Sequence, residues 1–304
     1  MKAFVFPGQG SQYIGMGKDL LEVAEDLFRE ASKIVGFDLY SLCVEGPEIE
    51  LNKTENTQPA IFTVSYILAK EVLKAGIKPD YLCGHSLGEY TAAAVAGVFS
   101  FADGVKITRK RGELMQQAQP EGKGAMAAVL GVDEEEVKNI CRSVKSGYVD
   151  IANFNCPGQL VISGERQAVQ EATELAKQRG AKKVVLLQVS VPSHCLLMKE
   201  ASELFRDFLS HFKFSNANIP IVTNVDAIQK TNSQEIFESF IKQLYSSVLW
   251  QDCVKYMISK GVNTFFEIGP GKVLAGLIKR ISPEVKIFNI EKIKDIQTLK
   301  EEIE

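Results

Sequence analysis

The chain has 304 residues, 45% hydrophobic and 24% charged, with a formal net charge of −3. That make-up suits a globular protein with a large core, and it speaks against bulk affinity for nucleic acid or an anionic membrane. The six cysteines (Cys43, Cys83, Cys141, Cys156, Cys195, Cys253) are scattered without a Cys-x-x-Cys pair, so neither a disulfide framework nor a metal site is expected. The first residues form too short an apolar run for a signal peptide, and no stretch approaches the roughly 18 apolar residues of a membrane span. A soluble, cytoplasmic protein with reduced thiols is expected.

Residues 3–6 read as a buried strand leading into Pro7-Gly8-Gln9-Gly10-Ser11-Gln12. A dinucleotide fingerprint fails here, because Tyr13 stands where the third glycine of Gly-x-Gly-x-x-Gly belongs. Leu20, Leu21, Ala24, Leu27, Phe28 and Ala31 recur at helical spacing over 19–35, up to Gly36. Residues 37–58 are polar and broken, with a turn at Gly46-Pro47, and 60–75 predicts a second helix entered at Pro59 and stopped by Gly76.

A short apolar strand over 81–83 then meets Gly84-His85-Ser86-Leu87-Gly88 and an alanine-rich helix over 91–96. Strand, tight turn and helix form the context in which Gly-x-Ser-x-Gly is a nucleophile elbow, with Ser86 as the nucleophile. A side chain at either glycine would crowd the turn that lifts the serine hydroxyl off the sheet. Elbow enzymes take one oxyanion donor from the residue after the serine, here the backbone N–H of Leu87, and another from an early loop such as the one at Gln9. A helix over 101–119 carries Lys106, Arg109, Lys110 and Arg111, whose plain reading is a solvated basic face.

From Gly124 the order becomes β-α-β-β-α-β: strands over 125–130, 149–153, 160–163 and 184–191, with helices over 134–144 and 166–178. A long helix over 196–212, a strand over 219–223, helices near 234–246 and 252–259, a strand over 264–268, a helix over 273–281, a strand over 285–289 and a charged helical tail complete the chain. The fold class expected is α/β. A large α/β-hydrolase-like domain over 1–123 and 191–304 carries an inserted ferredoxin-like (βαββαβ) subdomain over 124–190.

A serine nucleophile needs a general base, and there are three histidines. His85 adjoins Ser86 within the elbow and should point away from the hydroxyl. His211 reads as a partly buried packing residue beside Phe212 and Phe214. His194, in the loop Val191-Pro192-Ser193-His194-Cys195, is the favoured base. No acidic residue is placed as a third member, so a backbone carbonyl holding the imidazole would make the pair a dyad.

Seven separated motifs together resemble the malonyl-CoA:acyl carrier protein transacylase family of bacterial type II fatty acid synthesis. They are Phe6 to Gln12, Thr57-Gln58-Pro59-Ala60, Gly84 to Tyr90, Arg111 to Gln116, Asn155-x-Pro157-Gly158-Gln159, Pro192 to Cys195 and Gly269 to Leu274. The resemblance implies acylation of Ser86 by malonyl-CoA, with His194 as base, followed by transfer to the phosphopantetheine thiol of acyl carrier protein. It implies an oxyanion hole at the backbone of Gln9 and Leu87, and Arg111 gripping the malonyl carboxylate in its planar fork. His85, Met115, Asn155 and Gln159 would border the cleft. No bound cofactor is implied, since the partner carries the phosphopantetheine. The resemblance also places a carbonyl supporting the histidine near Ser247-Val248-Leu249-Trp250, where Leu249 would supply it. An acidic carrier calls for a basic patch; Lys182-Lys183, Lys106 with Arg109-Lys110, and Lys272 with Lys279-Arg280 are the candidates. The alternative function is a trans-acting malonyl acyltransferase serving a polyketide or polyunsaturated lipid synthase; a serine esterase and a non-catalytic carrier-binding subunit are more distant rivals.

Overall fold

The computed structural model describes residues 1–118, 122–187 and 191–303. It is an α/β structure built on two sheets. Strand β1 (Lys2–Phe6) is followed by α1 (Leu21–Val35), two short helices α2 (Leu39–Val44) and α3 (Glu48–Leu51), and the long α4 (Thr54–Lys74). The stretch expected to be broken is thus partly helical, and α4 begins five residues before Pro59 rather than at it. Proline inside a helix leaves the carbonyl four residues back without a donor. Here that carbonyl is Glu55's, and Arg109 Nη1 donates to it at 3.2 Å.

Strand β2 (Tyr81–Gly84), α5 (Gly88–Val95) and α6 (Phe101–Gln117) follow. The next elements are β3 (Gly124–Leu130), α7 (Glu134–Ser143), β4 (Val149–Cys156), β5 (Gln159–Glu165), α8 (Arg166–Gln178) and β6 (Lys183–Leu186). The strand expected over 184–191 runs through 188–190, which lie outside the described residues; the helix expected over 101–119 likewise ends beyond them. The helix expected over 196–212 is shorter, a turn of 3₁₀ helix leading into α9 (Lys199–Leu209). Then come β7 (Ile221–Val222), β8 (Gln229–Lys230), α10 (Ser233–Gln243), α11 (Trp250–Ser259), β9 (Thr264–Ile268), α12 (Val273–Ile281), β10 (Lys286–Ile290) and α13 (Ile293–Ile303). The two-residue β8 has no sequence expectation behind it, because so short a strand carries no periodicity.

The larger sheet has the order β10-β9-β1-β2-β7-β8, parallel except for β8. Its central strands are apolar at nearly every position because helices cover both faces. Phe4, Phe6 and Phe266 enter one core, while Ala3, Val5, Tyr81 and Phe265 enter a second with residues of α11 and α12. The smaller sheet is antiparallel in the order β4-β5-β3-β6. Ala125, Ala127 and Val129 pack beneath α7 and α8, and the alternate positions Met126 and Val161 lie on the other face. The smaller sheet is tied to the segment between α10 and α11, where Val248 N donates to Ala152 O (2.8 Å) and Val248 O accepts from Phe154 N (2.9 Å).

Candidate active site

The elbow is assembled by close backbone approach. A Cβ on Gly84 would lie 1.9 Å from the carbonyl carbon of Gly88, and one on Gly88 would lie 2.0 Å from Phe6 O. Only glycine lets the start of α5 sit this near the ends of β1 and β2. Between them Ser86 holds φ 51°, a left-handed conformation that costs a non-glycine residue about 1–3 kcal/mol. Its backbone is clamped on both sides: Ser86 N donates to Asn224 Oδ1 at 2.8 Å, and Ser86 O accepts from Gln243 Nε2 at 3.0 Å.

The structure brings His194 to the Ser86 hydroxyl and keeps the other histidines from it. His194 Nε2 lies 2.7 Å from Ser86 Oγ, and its Nδ1 lies 2.8 Å from Gln243 O. A carbonyl only accepts, so Nδ1 carries the proton and Nε2 is left to receive the serine's. Burial, reinforced by the Arg111 cation, pushes the imidazole pKa down to about 3 and keeps it neutral at physiological pH. The supporting carbonyl is Gln243's, not Leu249's, because Leu249 O accepts from Cys253 N within α11. His85 Nε2 instead meets Asn155 Oδ1 at 2.9 Å, its ring 5.6 Å from that of Trp250. His211 is exposed rather than partly buried, since it follows the end of α9.

Arg111 does not belong to a solvated face. It is 1% exposed, and its guanidinium lies 5.1 Å over the Tyr90 ring. Nη1 donates to Gln58 Oε1 (2.9 Å), and Nη2 to Ser86 Oγ (3.1 Å) and Gln243 Oε1 (3.0 Å). Every one of these acceptors is neutral, and no carboxylate pairs with Arg111 among the described residues. Lys106 and Lys110 on the same helix do face outward, towards Asp103 and Glu113.

Ser86, His194 and Arg111 open into a cleft of about 450 Å³ whose lining includes Gln9, His85, Met115, Asn155 and Gln159. Met126, Asn153 and Val161 of the small sheet form one wall, and Val273, Leu274 and Leu277 of α12 form another. Gln9 is anchored by Nε2 to Thr54 Oγ1 at 3.0 Å, and no hydrogen bond within the described residues engages the backbone N–H of Gln9 or Leu87. Met115 Sδ accepts from Gln58 Nε2 at 3.3 Å, and Gln159 Oε1 accepts from Arg280 Nη1 at 2.5 Å.

An acyl transferase domain model matches residues 3–296. The chain belongs to the acyl transferase family. It is 46% identical to the malonyl CoA-acyl carrier protein transacylase of Bacillus subtilis, over 99% of this chain and 98% of the relative. Its identity to the Escherichia coli protein of that name is also 46%, over 92% of each chain. An acyl carrier protein S-malonyltransferase from Vibrio cholerae superposes with a TM-score of 0.95 at 42% identity, covering 98% of this chain and 99% of the other. A malonyl-transacylase solved in complex with its type II polyketide synthase acyl-carrier protein gives 0.96 at 42% identity, over 99% of both chains.

In this acyl transferase the three basic clusters differ in setting. Arg109 and Lys110 are engaged by Glu113, and Lys106 by Asp103. Lys182 and Lys183 are exposed at the start of β6. Lys272, Lys279 and Arg280 are exposed on and beside α12, the helix that borders the cleft.

Sequence reasoning assigned no role to Gln58, Glu89, Asn224 or Gln243. Gln58 and Glu89 stand inside motifs that were legible, so their neighbours gave a signal. Asn224 and Gln243 have none: they sit after a two-residue strand and at the end of α10, and reach the elbow only through folding.

Proposed function

We propose that this chain transfers the malonyl group from malonyl-CoA to the phosphopantetheine thiol of an acyl carrier protein, through a malonyl-Ser86 intermediate, in fatty acid chain elongation. The observation that carries the reading is the meeting at one hydroxyl of a neutral base and a buried, carboxylate-free guanidinium. His194 Nε2 and Arg111 Nη2 lie 2.7 Å and 3.1 Å from Ser86 Oγ.

His194 takes the Ser86 proton as Oγ bonds to the thioester carbonyl carbon. The backbone N–H groups of Leu87 and Gln9 receive the oxyanion. Collapse breaks the C–S bond, and the imidazolium returns its proton to the CoA sulfur. The carrier thiol then gives its proton to His194 and attacks the acyl-serine; the acyl C–O bond breaks and the imidazolium returns the proton to Ser86 Oγ, so kinetics are ping-pong. Arg111 holds the malonyl carboxylate throughout. An acetyl group would leave that buried cation without its anion, which disfavours it. Met115, His85, Asn155 and Gln159 shape the cleft.

The chemistry needs no cofactor of the enzyme's own, because the thioester already activates the acyl group. The acidic carrier docks on Lys272, Lys279 and Arg280, the exposed basic cluster whose helix borders the cleft. The larger unit, 1–123 and 191–304, is read as α/β-hydrolase-like and 124–190 as a ferredoxin-like insert, a reading supported by the strand order β4-β5-β3-β6 around two helices. Six free thiols suit a cytoplasmic setting.

Intact-protein mass after incubation with malonyl-CoA, acetyl-CoA or neither tests the proposal. The expected result is a malonyl adduct that disappears when holo-carrier protein is added, with a matching gain on the carrier. An adduct lost equally fast in buffer would indicate a hydrolase instead, and no adduct would refute the acyl-enzyme.

A further inference from the structure

Glu89, in the first turn of α5, is fully buried and takes no part in the chemistry above. Its Oε2 accepts from Gln243 Nε2 at 2.9 Å and from Asn224 N at 2.8 Å. At the far end of the same amide, Gln243 Oε1 accepts from Arg111 Nη2 at 3.0 Å. We infer that Glu89 is a positioning residue for malonyl transfer, acting through the Gln243 amide to hold Arg111 ready for the substrate carboxylate. The inference rests on the transferase reading.

A primary amide has a donor end and an acceptor end, and a buried one is free to sit either way round unless its partners choose. Glu89 Oε2 accepts, and so does Ser86 O at 3.0 Å, which together draw the NH₂ end of Gln243 towards the elbow. The carbonyl end is thereby turned to Arg111. Reversing the amide would set its NH₂ against the guanidinium and its oxygen against Glu89 and Ser86 O, leaving all three partners mismatched in a site that water does not reach. The unpartnered carboxyl oxygen is Oε1. A proton there leaves Oε2 an acceptor, so the orientation survives in either ionisation state.

The indirect arrangement suits the function. A carboxylate touching Arg111 would occupy the N–H groups that the malonyl carboxylate needs. A neutral amide placed between them fixes the guanidinium and leaves its charge for the substrate. The same residue's backbone carbonyl holds His194 Nδ1, and Asn224, the other group bound by Glu89, sends Oδ1 to Ser86 N.

The experiment compares kcat/KM for malonyl-CoA and acetyl-CoA, with holo-carrier protein as acceptor, in the wild type, Glu89→Ala, Glu89→Gln and Gln243→Glu. Glu89→Ala is expected to lower the malonyl-over-acetyl ratio on the order of tenfold, and Glu89→Gln, which keeps an acceptor oxygen, to restore it to within about threefold. Gln243→Glu puts an anion directly on Arg111 and should raise the malonyl KM on the order of tenfold more than the acetyl KM. A Glu89→Ala enzyme that loses both acyl groups equally, or a Gln variant as impaired in ratio as the Ala one, would overturn the inference. If Glu89→Ala does not fold, Gln243→Glu decides, and equal effects on both acyl groups count against positioning. A wild type that fails to move malonyl at all would instead refute the transferase reading.

Discussion

Ser86 and His194, 108 residues apart in the chain, meet at 2.7 Å with both backbones in the left-handed region, at φ 51° and φ 60°. Neither is a glycine, and each conformation costs about 1–3 kcal/mol. The cost is met by hydrogen bonds on either side: Ser86 N to Asn224 Oδ1, and His194 N to Leu244 O at 3.0 Å. Held this way, Ser86 Oγ and His194 Nε2 meet in the cleft that both residues line.

Ser86→Ala removes the acyl acceptor and no packing contact. Incubation with malonyl-CoA should yield no mass increment, while the thermal midpoint stays within a few degrees of the wild type. A persisting adduct would assign the nucleophile elsewhere.

His194→Ala should slow acylation by about 100-fold or more, the scale of lost general-base catalysis. In the wild type, the acid limb of kcat/KM for malonyl-CoA should fall well below pH 6.5, because burial and Arg111 lower the His194 pKa to about 3. A rate that halves near pH 6.5 would show an imidazole free of both influences.

Arg111→Ala should lower kcat/KM for malonyl-CoA by about 100-fold, the scale of two charge-assisted hydrogen bonds, and acetyl-CoA should suffer less. The same change removes a cation beside His194, so the acid limb should move upward in pH. Equal losses for both acyl groups, with no shift of the limb, would make Arg111 a packing residue.

Two glycine replacements should part company. Gly88→Ala drives a Cβ to 2.0 Å from Phe6 O, a backbone atom that cannot step aside, and should cost about 3 kcal/mol or more in urea unfolding. Gly276→Ala, mid-helix in α12 with nothing within 4 Å of the new carbon, should stabilise by up to about 1 kcal/mol.

Burial raises the carboxyl pKa of both Glu89 and Glu267 from 4.5 to about 7. The folded state therefore holds protons that the unfolded chain has lost, and this stability is complete below pH 4.5 and disappears as pH rises through about 7. Between pH 6.5 and 8 the unfolding free energy should drop by about 1–2 kcal/mol. Glu267→Gln should remove roughly half of that slope. Stability that is flat or rising over this interval would contradict the shifts.

The elbow was legible because its constraints are local. Gly84, Ser86 and Gly88 encode a turn within five residues, and the flanking strand and helix announce themselves by composition. The β-α-β-β-α-β order of elements from Gly124 onward was legible for the same reason. Arg111 was not separable by periodicity from Lys106 and Lys110 on its helix; only the motif resemblance singled it out, and only packing against Tyr90 buried it. Pro59 misled, because its missing N–H is compensated from another helix by Arg109.

The amino-acid sequence by itself determined most of the element types and the family, and it singled out Ser86 and His194 as the candidate pair. The tertiary structure decided what holds them: Gln243 O rather than Leu249 O on His194, Asn224 on Ser86, and Glu89 behind Gln243. Turn chemistry and periodicity act over a few neighbouring residues, so they are written in the order of the chain. A hydrogen bond such as that from Gln243 to Ser86 O, across 157 residues, exists only once packing has fixed where both backbones lie.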